Sequence, residues 1–120
     1  MTTDVYTDGA CLGNPGPGGW AFVVDEGLWS SGYESHTTNQ RMELTAASAA
    51  VQAVEGPLRI HSDSTYVVNC FVQGWWKGWI KRGWLNSKKE AVANRDLWEP
   101  FIELVNARGD VEFIWVKGHA

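Results

Sequence analysis

The sequence predicts an α/β fold, a mixed sheet of five strands flanked by helices with a basic handle, on three observations. Short β-rich runs recur along the chain, and a segment of helical period separates the first three from the fourth. That helical crossover makes the first and fourth strands parallel if they share a sheet. The composition, 44% hydrophobic and 20% charged, is that of an ordinary globular chain, and 120 residues suit one domain over residues 1–120.

The elements follow in order. Val5 to Thr7 reads as a strand ending at Asp8-Gly9. Gly13 to Gly19 holds Pro15 and Pro17 among glycines, a rigid turn region, because Pro fixes φ while Gly permits positive φ. Trp20 to Val24 is a second strand, and Leu28 to Ser35 pairs with it as a hairpin. Thr37, Thr38 and Asn39 are helix-start residues. A helix is expected from about Arg41 to Val54, with Met42, Ala46, Ala49 and Ala53 on one face, and Gly56-Pro57 ends it. Leu58 to Ser62 is a strand running to Asp63, and a helix follows from about Thr65 to Val72. After a Trp- and Lys-rich segment, 75–95, a helix from about Asp96 to Ala107 and a strand from Val111 to Val116 complete the order.

Composition also excludes function classes. No apolar run approaches the roughly 20 residues that span a bilayer, so no membrane partner is expected. The N-terminus shows neither the basic nor the apolar region of a signal peptide. Cys11 and Cys70 are the two cysteines and form no CxxC pair, so both read as reduced thiols of a cytoplasmic protein, and zinc is not expected. The net charge of −4 is unevenly spread: between Trp75 and Arg95, six cations face only Glu90, a net +5, which leaves −9 elsewhere. An acidic body with one basic arm suits a protein that brings carboxylates near a polyanion, the arm supplying the attraction.

Three of those carboxylates form a pattern. Asp8 and Asp63 each follow a predicted strand, and ligands gather at the carboxyl ends of parallel strands. Glu43, expected in the first turn of the intervening helix, has a side chain long enough to reach the same point. Three such groups repel unless a cation lies between them, and all-oxygen ligation suits Mg²⁺ or Mn²⁺. The fitting chemistry is in-line phosphodiester hydrolysis with up to two ions. Each residue also has a plainer reading: Asp8 and Asp63 suit turns or caps, and Glu43 suits a helix N-terminus.

In the arm, Trp75, Trp76, Trp79 and Trp84 are interleaved with Lys77, Lys81 and Arg82, followed by Lys88 and Lys89. Trp packs against sugars and bases while Lys and Arg meet phosphates. At least two of the four Trp are expected in the core, since Trp is usually highly buried. A carbohydrate-binding surface is the competing reading of another class, and the positive charge favours nucleic acid.

These residues coincide with a known family. The run Thr7 to Gly19 resembles the opening motif of bacterial type 1 ribonucleases H, Thr38 to Leu44 the second, and Ser62-Asp63-Ser64 with Tyr66-Val67 the third. Lys81 to Trp84 and Asp96 to Trp98 resemble the basic handle and the helix after it, and Trp115 to His119 the loop with the catalytic histidine. The resemblance implies a ribonuclease H-like fold and an endonuclease that cuts the RNA strand of RNA–DNA hybrids, leaving 5′-phosphate and 3′-hydroxyl ends.

By that resemblance Asp8 bridges two ions, Glu43 and Asp63 complete one of them, and His119 assists proton transfer or product release. Gly9, Ala10, Cys11 and the Asn14 side chain would sit by RNA 2′-hydroxyls, which distinguish RNA from DNA. Thr38 and Asn39 would hold the DNA strand's phosphate and sugar, and Gln40 stands where Asn is common at a minor-groove contact. Trp76, Trp79, Lys81, Arg82, Lys88 and Lys89 would grip the DNA strand. Thr65 replaces a common Gln, so no RNA contact is carried onto it. The family places a fourth carboxylate and a terminal helix beyond the histidine loop, whereas this sequence ends at Ala120. The expectation is therefore a chain without that helix, a longer natural protein, weak cleavage or hybrid binding without cleavage, a high metal requirement, and self-association in place of the family's monomer.

Overall fold

The computed structural model describes residues 2–24 and 27–117. Its elements are β1 (Thr3–Cys11), β2 (Gly16–Val24), β3 (Trp29–Thr37), α1 (Asn39–Ala53), β4 (Leu58–Ser62), α2 (Thr65–Val72), α3 (Trp75–Lys81), α4 (Arg95–Arg108) and β5 (Val111–Trp115). They form one mixed five-stranded sheet in the order β3-β2-β1-β4-β5. The pairs β1–β2 and β2–β3 are antiparallel, while β1–β4 and β4–β5 are parallel, as the crossover through α1 requires.

Alternation along the strands sorts the two faces. Val5 and Thr7 on β1, and Leu58, Ile60 and Ser62 on β4, are buried and face the helices. Val5, Leu58 and Ile60 pack with Leu44, Ala47, Ala50 and Val51 of α1 and Trp98, Phe101 and Ile102 of α4 in one core. The other face carries Tyr6 and Val23, each about half exposed, with the His61 ring stacked on Tyr6 at 4.6 Å between centroids. Arg108 ties α4 to the end of α1: its guanidinium donates to the carbonyls of Val51 and Val54 at 2.6 and 2.7 Å and to that of Gly56. The Val51 carbonyl is one that a helix C-terminus leaves without a partner, and those of Val54 and Gly56 follow in the cap and the turn after it.

Several expected boundaries move. The turn expected over Gly13 to Gly19 is shorter, because β2 already begins at Gly16 and pairs Gly18 with Cys11. β1 runs on to Cys11, so Asp8 does not end its strand. What ends at Tyr6 is the pairing with β4, after which β1 continues against β2 alone. α1 begins at Asn39, capped by the Thr38 hydroxyl accepting from Arg41 N at 3.2 Å, so Glu43 lies in the second turn rather than the first. The plainer reading of Glu43 as a residue placed for the helix dipole loses its basis, since that effect fades beyond the first turn.

The arm contains a helix not expected from the sequence, α3, followed by an irregular loop with one bridge, Leu85 to Ala91. Trp84 is buried, and Trp76 and Trp79 are partly buried against the core, in line with the expectation that at least two Trp belong there. Trp79 packs edge-on against Trp98 at 5.4 Å. Arg95 lies over the Trp84 ring at 5.1 Å and Lys77 over Trp76 at 5.6 Å, so two of the cations are partly held by aromatic faces.

Candidate metal centre

Asp8 and Asp63 meet because of strand register. The last parallel pair is Tyr6 with His61, so continuing two residues along each chain sets Asp8 beside Asp63. Both line one pocket with Tyr6, Val23 and His61, at the point where β4 stops and β1 goes on.

Glu43 arrives from the helix side, and Gly9 makes its approach possible. A Cβ on Gly9 would stand 2.4 Å from the Met42 carbonyl carbon and 2.5 Å from Glu43 N, so α1 rests directly on bare β1 backbone. Gly18 opens the same space, since a Cβ there would stand 2.7 Å from the Thr37 Cγ2 and 3.1 Å from the Met42 Cγ. With the helix this close, Gly9 N donates to Glu43 Oε1 and fixes the carboxylate.

One oxygen from each of Asp8, Glu43 and Asp63 then lies within 4.8 Å of the others. Glu43 is only 8% exposed, and its Oε2 is buried without a hydrogen-bond partner. Buried polar atoms are nearly always paired, so an orphaned carboxylate oxygen beside two further carboxylates fits a divalent cation as its partner. Burial pushes the Glu43 carboxyl up to about 8 from its usual 4.5, Asp63 and Asp8 add repulsion, and the Gly9 N–H partly opposes the shift. The donor set is all oxygen, which suits a hard divalent ion.

The sign of the pH dependence follows. In metal-free protein the folded state keeps the Glu43 proton between about 4.5 and about 8, while the unfolded chain has lost it. The folded state then binds more protons, so this group's stabilising contribution falls as pH rises through that window. Melting of metal-free protein should show the decline, and Glu43→Gln should flatten it and melt higher than the parent at the upper end. An unchanged slope would show that Glu43 is not held protonated by burial.

The other expected site residues divide into two groups. Gly9, Ala10, Cys11, Asn39 and Gln40 line one cleft with Glu43 and Asp63. Asn14 Oδ1 accepts from Asn39 N at 3.0 Å, which ties the turn after β1 to the start of α1. Cys11 Sγ donates to the carbonyls of Gly16 and Thr37 at 3.3 Å each, so this thiol anchors backbone, and burial pushes the Cys70 thiol up to about 12. Lys81, Arg82, Lys88 and Lys89 are exposed on the arm, apart from the carboxylate cluster in sequence and element. His119 lies outside the described residues.

Two features escape a reading of the sequence. Arg41 makes a two-pronged ion pair with Asp96 at 3.0 and 2.7 Å and also donates to Asn94 Oδ1 at 3.2 Å, locking α1 to the start of α4. Asn94 in turn donates to the Tyr66 hydroxyl at 3.1 Å, which reaches α2. No local signal marks such a bridge, since its partners lie 28 to 55 residues apart. The Trp115 indole donates to the Asp63 carbonyl at 3.2 Å, and only the β4–β5 register would have pointed to it.

Fold and cluster define an α/β domain with a three-carboxylate cluster, from β1, α1 and the end of β4, that could hold a metal ion. The family model for RNase H matches residues 1–120, and the chain belongs to the RNase H family. It is 52% identical to a ribonuclease H of Moorella thermoacetica, with 97% of this chain and 79% of that protein covered. A ribonuclease H of Symbiobacterium thermophilum is 47% identical, with 97% and 82% covered. Among solved structures, LC9-RNase H1, a type 1 RNase H with the type 2 active-site motif, is 31% identical with a TM-score of 0.81, over 99% of this chain and 64% of that one. LC11-RNase H1, solved in complex with RNA/DNA hybrid, shares the fold at a TM-score of 0.72 and 22% identity, over 97% of this chain and 86% of that one.

Proposed function

We propose that this chain is an endonuclease that hydrolyses the RNA strand of RNA–DNA hybrids, leaving 5′-phosphate and 3′-hydroxyl ends. The observation that carries this reading is the buried, unpartnered Glu43 Oε2 within a three-carboxylate cluster. Membership of the RNase H family and the hybrid complex of a protein with the same fold support the substrate class. Asp8, Glu43 and Asp63 would hold Mg²⁺ or Mn²⁺, up to two ions, with Asp8 shared. When bound, such ions activate a water and stabilise the charge that develops on the scissile phosphate.

The chain's own groups do the rest. Gly9 N–H holds one Glu43 oxygen and leaves the second buried without a protein partner. Gly9, Ala10 and Cys11 backbone and the Asn14 side chain present the surface that reads RNA 2′-hydroxyls. Thr38 and Asn39 at the start of α1 take the DNA strand's phosphate and sugar, as a helix N-terminus favours phosphate, and Gln40 faces the minor groove. His119 moves a proton or helps product leave. The exposed faces of Trp76 and Trp79, with Lys81, Arg82, Lys88 and Lys89, hold the DNA strand farther out. Two unpaired cysteines accord with a cytoplasmic setting, and self-association of this chain, in place of the family's monomer, would run through the exposed apolar side chains of Tyr6, Val23 and Trp29.

Binding of labelled hybrid, duplex DNA, duplex RNA and single-stranded RNA tests the substrate class; the hybrid should bind tightest among the duplexes and be the one whose RNA strand is cut. Equal cutting of single-stranded RNA would sink the proposal. Replacing Lys81, Arg82, Lys88 and Lys89 with Ala should weaken hybrid binding and flatten its salt dependence, by about 0.9 log unit per log unit of salt for each phosphate no longer neutralised. The rate at saturating hybrid should barely change, because these side chains bind ground and transition states alike. An unaltered salt slope would remove the arm from the interface.

A further inference from the structure

We propose that Trp115 is a positioning residue for the metal centre: its indole N–H holds the Asp63 main chain and thereby sets where the Asp63 carboxylate stands relative to Asp8 and Glu43. The proposal rests on reading those three carboxylates as a metal site.

Asp63 is the first residue beyond β4, where the sheet no longer constrains the backbone. The ladder's last contribution is Val116 N donating to Ser62 O at 3.0 Å. On the far side, Ser64 N donates to Ser62 Oγ at 3.1 Å, and Ser64 Oγ accepts from Val67 N at 3.2 Å to cap α2. Ser62 is therefore held both across the sheet and by Ser64, and Ser64 by the first turn of α2. The Asp63 carbonyl is held from another strand, by Trp115 Nε1 at 3.2 Å.

Trp115 is 50% exposed, whereas Trp98 is fully buried. Half its surface stays in water, so burial accounts poorly for a Trp here, while its single donor is used on a metal ligand. The register pairs Trp115 with Ser62, so the ring overhangs the peptide that follows. Rotation of that peptide would swing the Asp63 side chain, and a carboxylate must be fixed to bind a cation tightly. Removing a group that orients a metal ligand through a hydrogen bond typically costs about 10–100-fold in metal affinity or activity. Trp115 also closes β5 just before the loop that carries Lys117, so one side chain joins the loop's root to the Asp63 peptide.

The test compares the parent with Trp115→Phe, which keeps an aromatic ring and loses the donor. Calorimetric titration with Mn²⁺ alone should show binding weakened on the order of tenfold. Melting should shift little, and KM for hybrid should stay within about twofold, because the residue is placed against Asp63 rather than nucleic acid. The fall in kcat at limiting Mg²⁺ should be recovered by raising Mg²⁺. Equal Mn²⁺ affinity in two folded proteins would overturn the proposal, whereas a parent that binds no Mn²⁺ would overturn the metal-site reading beneath it. A second measurement needs no variant: the Trp115 indole N–H resonance of the parent should exchange more slowly than that of exposed Trp29 and should move during a Mg²⁺ titration. A resonance insensitive to Mg²⁺ would equally overturn it.

Discussion

Asp8→Asn should reduce hybrid cleavage by at least about a thousandfold, the scale of several kcal/mol of lost transition-state stabilisation. Asp8 contributes one of three carboxylate oxygens within 4.8 Å of one another and is the ligand proposed to be shared by both ions, so one substitution weakens the whole cluster. Binding of hybrid should persist, because the backbone of Gly9 to Cys11 and the arm are untouched. Metal-free stability should hold or rise, since Asp8 is one of the charges that repel the buried Glu43 carboxylate. Cleavage rates, hybrid affinity and melting of metal-free protein measure these separately. If the Asp8→Asn variant failed to fold, the Asp8 carboxylate would be needed for the fold itself, and the site would have to be reassigned.

Gly9→Ala should be nearly as damaging by a different route. The new methyl would stand 2.4 Å from the Met42 carbonyl carbon, which is backbone inside α1 and cannot swing aside. The helix must lift from β1, at a cost of about 1–3 kcal/mol or more in stability. The Gly9 N–H bond to Glu43 would stretch with it, so Mn²⁺ affinity and cleavage should fall together while Asp8 and Asp63 remain. Melting and Mn²⁺ titration of the variant measure both effects. A variant with parental melting and full metal affinity would show that the close approach of α1 does not build the site.

These two substitutions differ in how far the sequence alone reveals them. That Asp8, Glu43 and Asp63 come together is legible there, because adjacent parallel strands and a crossover helix bring such positions close, although Asp8 lies within its strand rather than at the end. The strands and helices themselves follow from period and punctuation, with α3 the exception. Its segment, Trp75 to Lys81, carries Gly78 and aromatic residues at positions where a helix gains little from propensity, and packing of Trp79 on Trp98 stabilises it instead. Gly9 reads in the sequence as a turn residue after Asp8, yet its function is to let a helix 34 residues away rest on the strand. Arg41 with Asp96, and Trp115 with Asp63, are invisible for the same reason: each pair is distant in the chain, and only the assembled sheet sets it side by side. The start of α1 two residues before the expected point comes from Thr38 acting as cap, and it moves Glu43 out of the first turn.

Whether the three carboxylates hold divalent cations that cut RNA paired to DNA is tested most directly by cleavage of a hybrid labelled separately on each strand. The hybrid is titrated with Mg²⁺ and with Mn²⁺, and the product ends are identified. No cleavage is expected without a divalent cation. With one, the rate should saturate with cation, cutting should be confined to the RNA strand, and the termini should be 5′-phosphate and 3′-hydroxyl. Cleavage that survives chelation of divalent cations, or that leaves cyclic or 3′-phosphate ends, would contradict the assignment of the metal site and its chemistry.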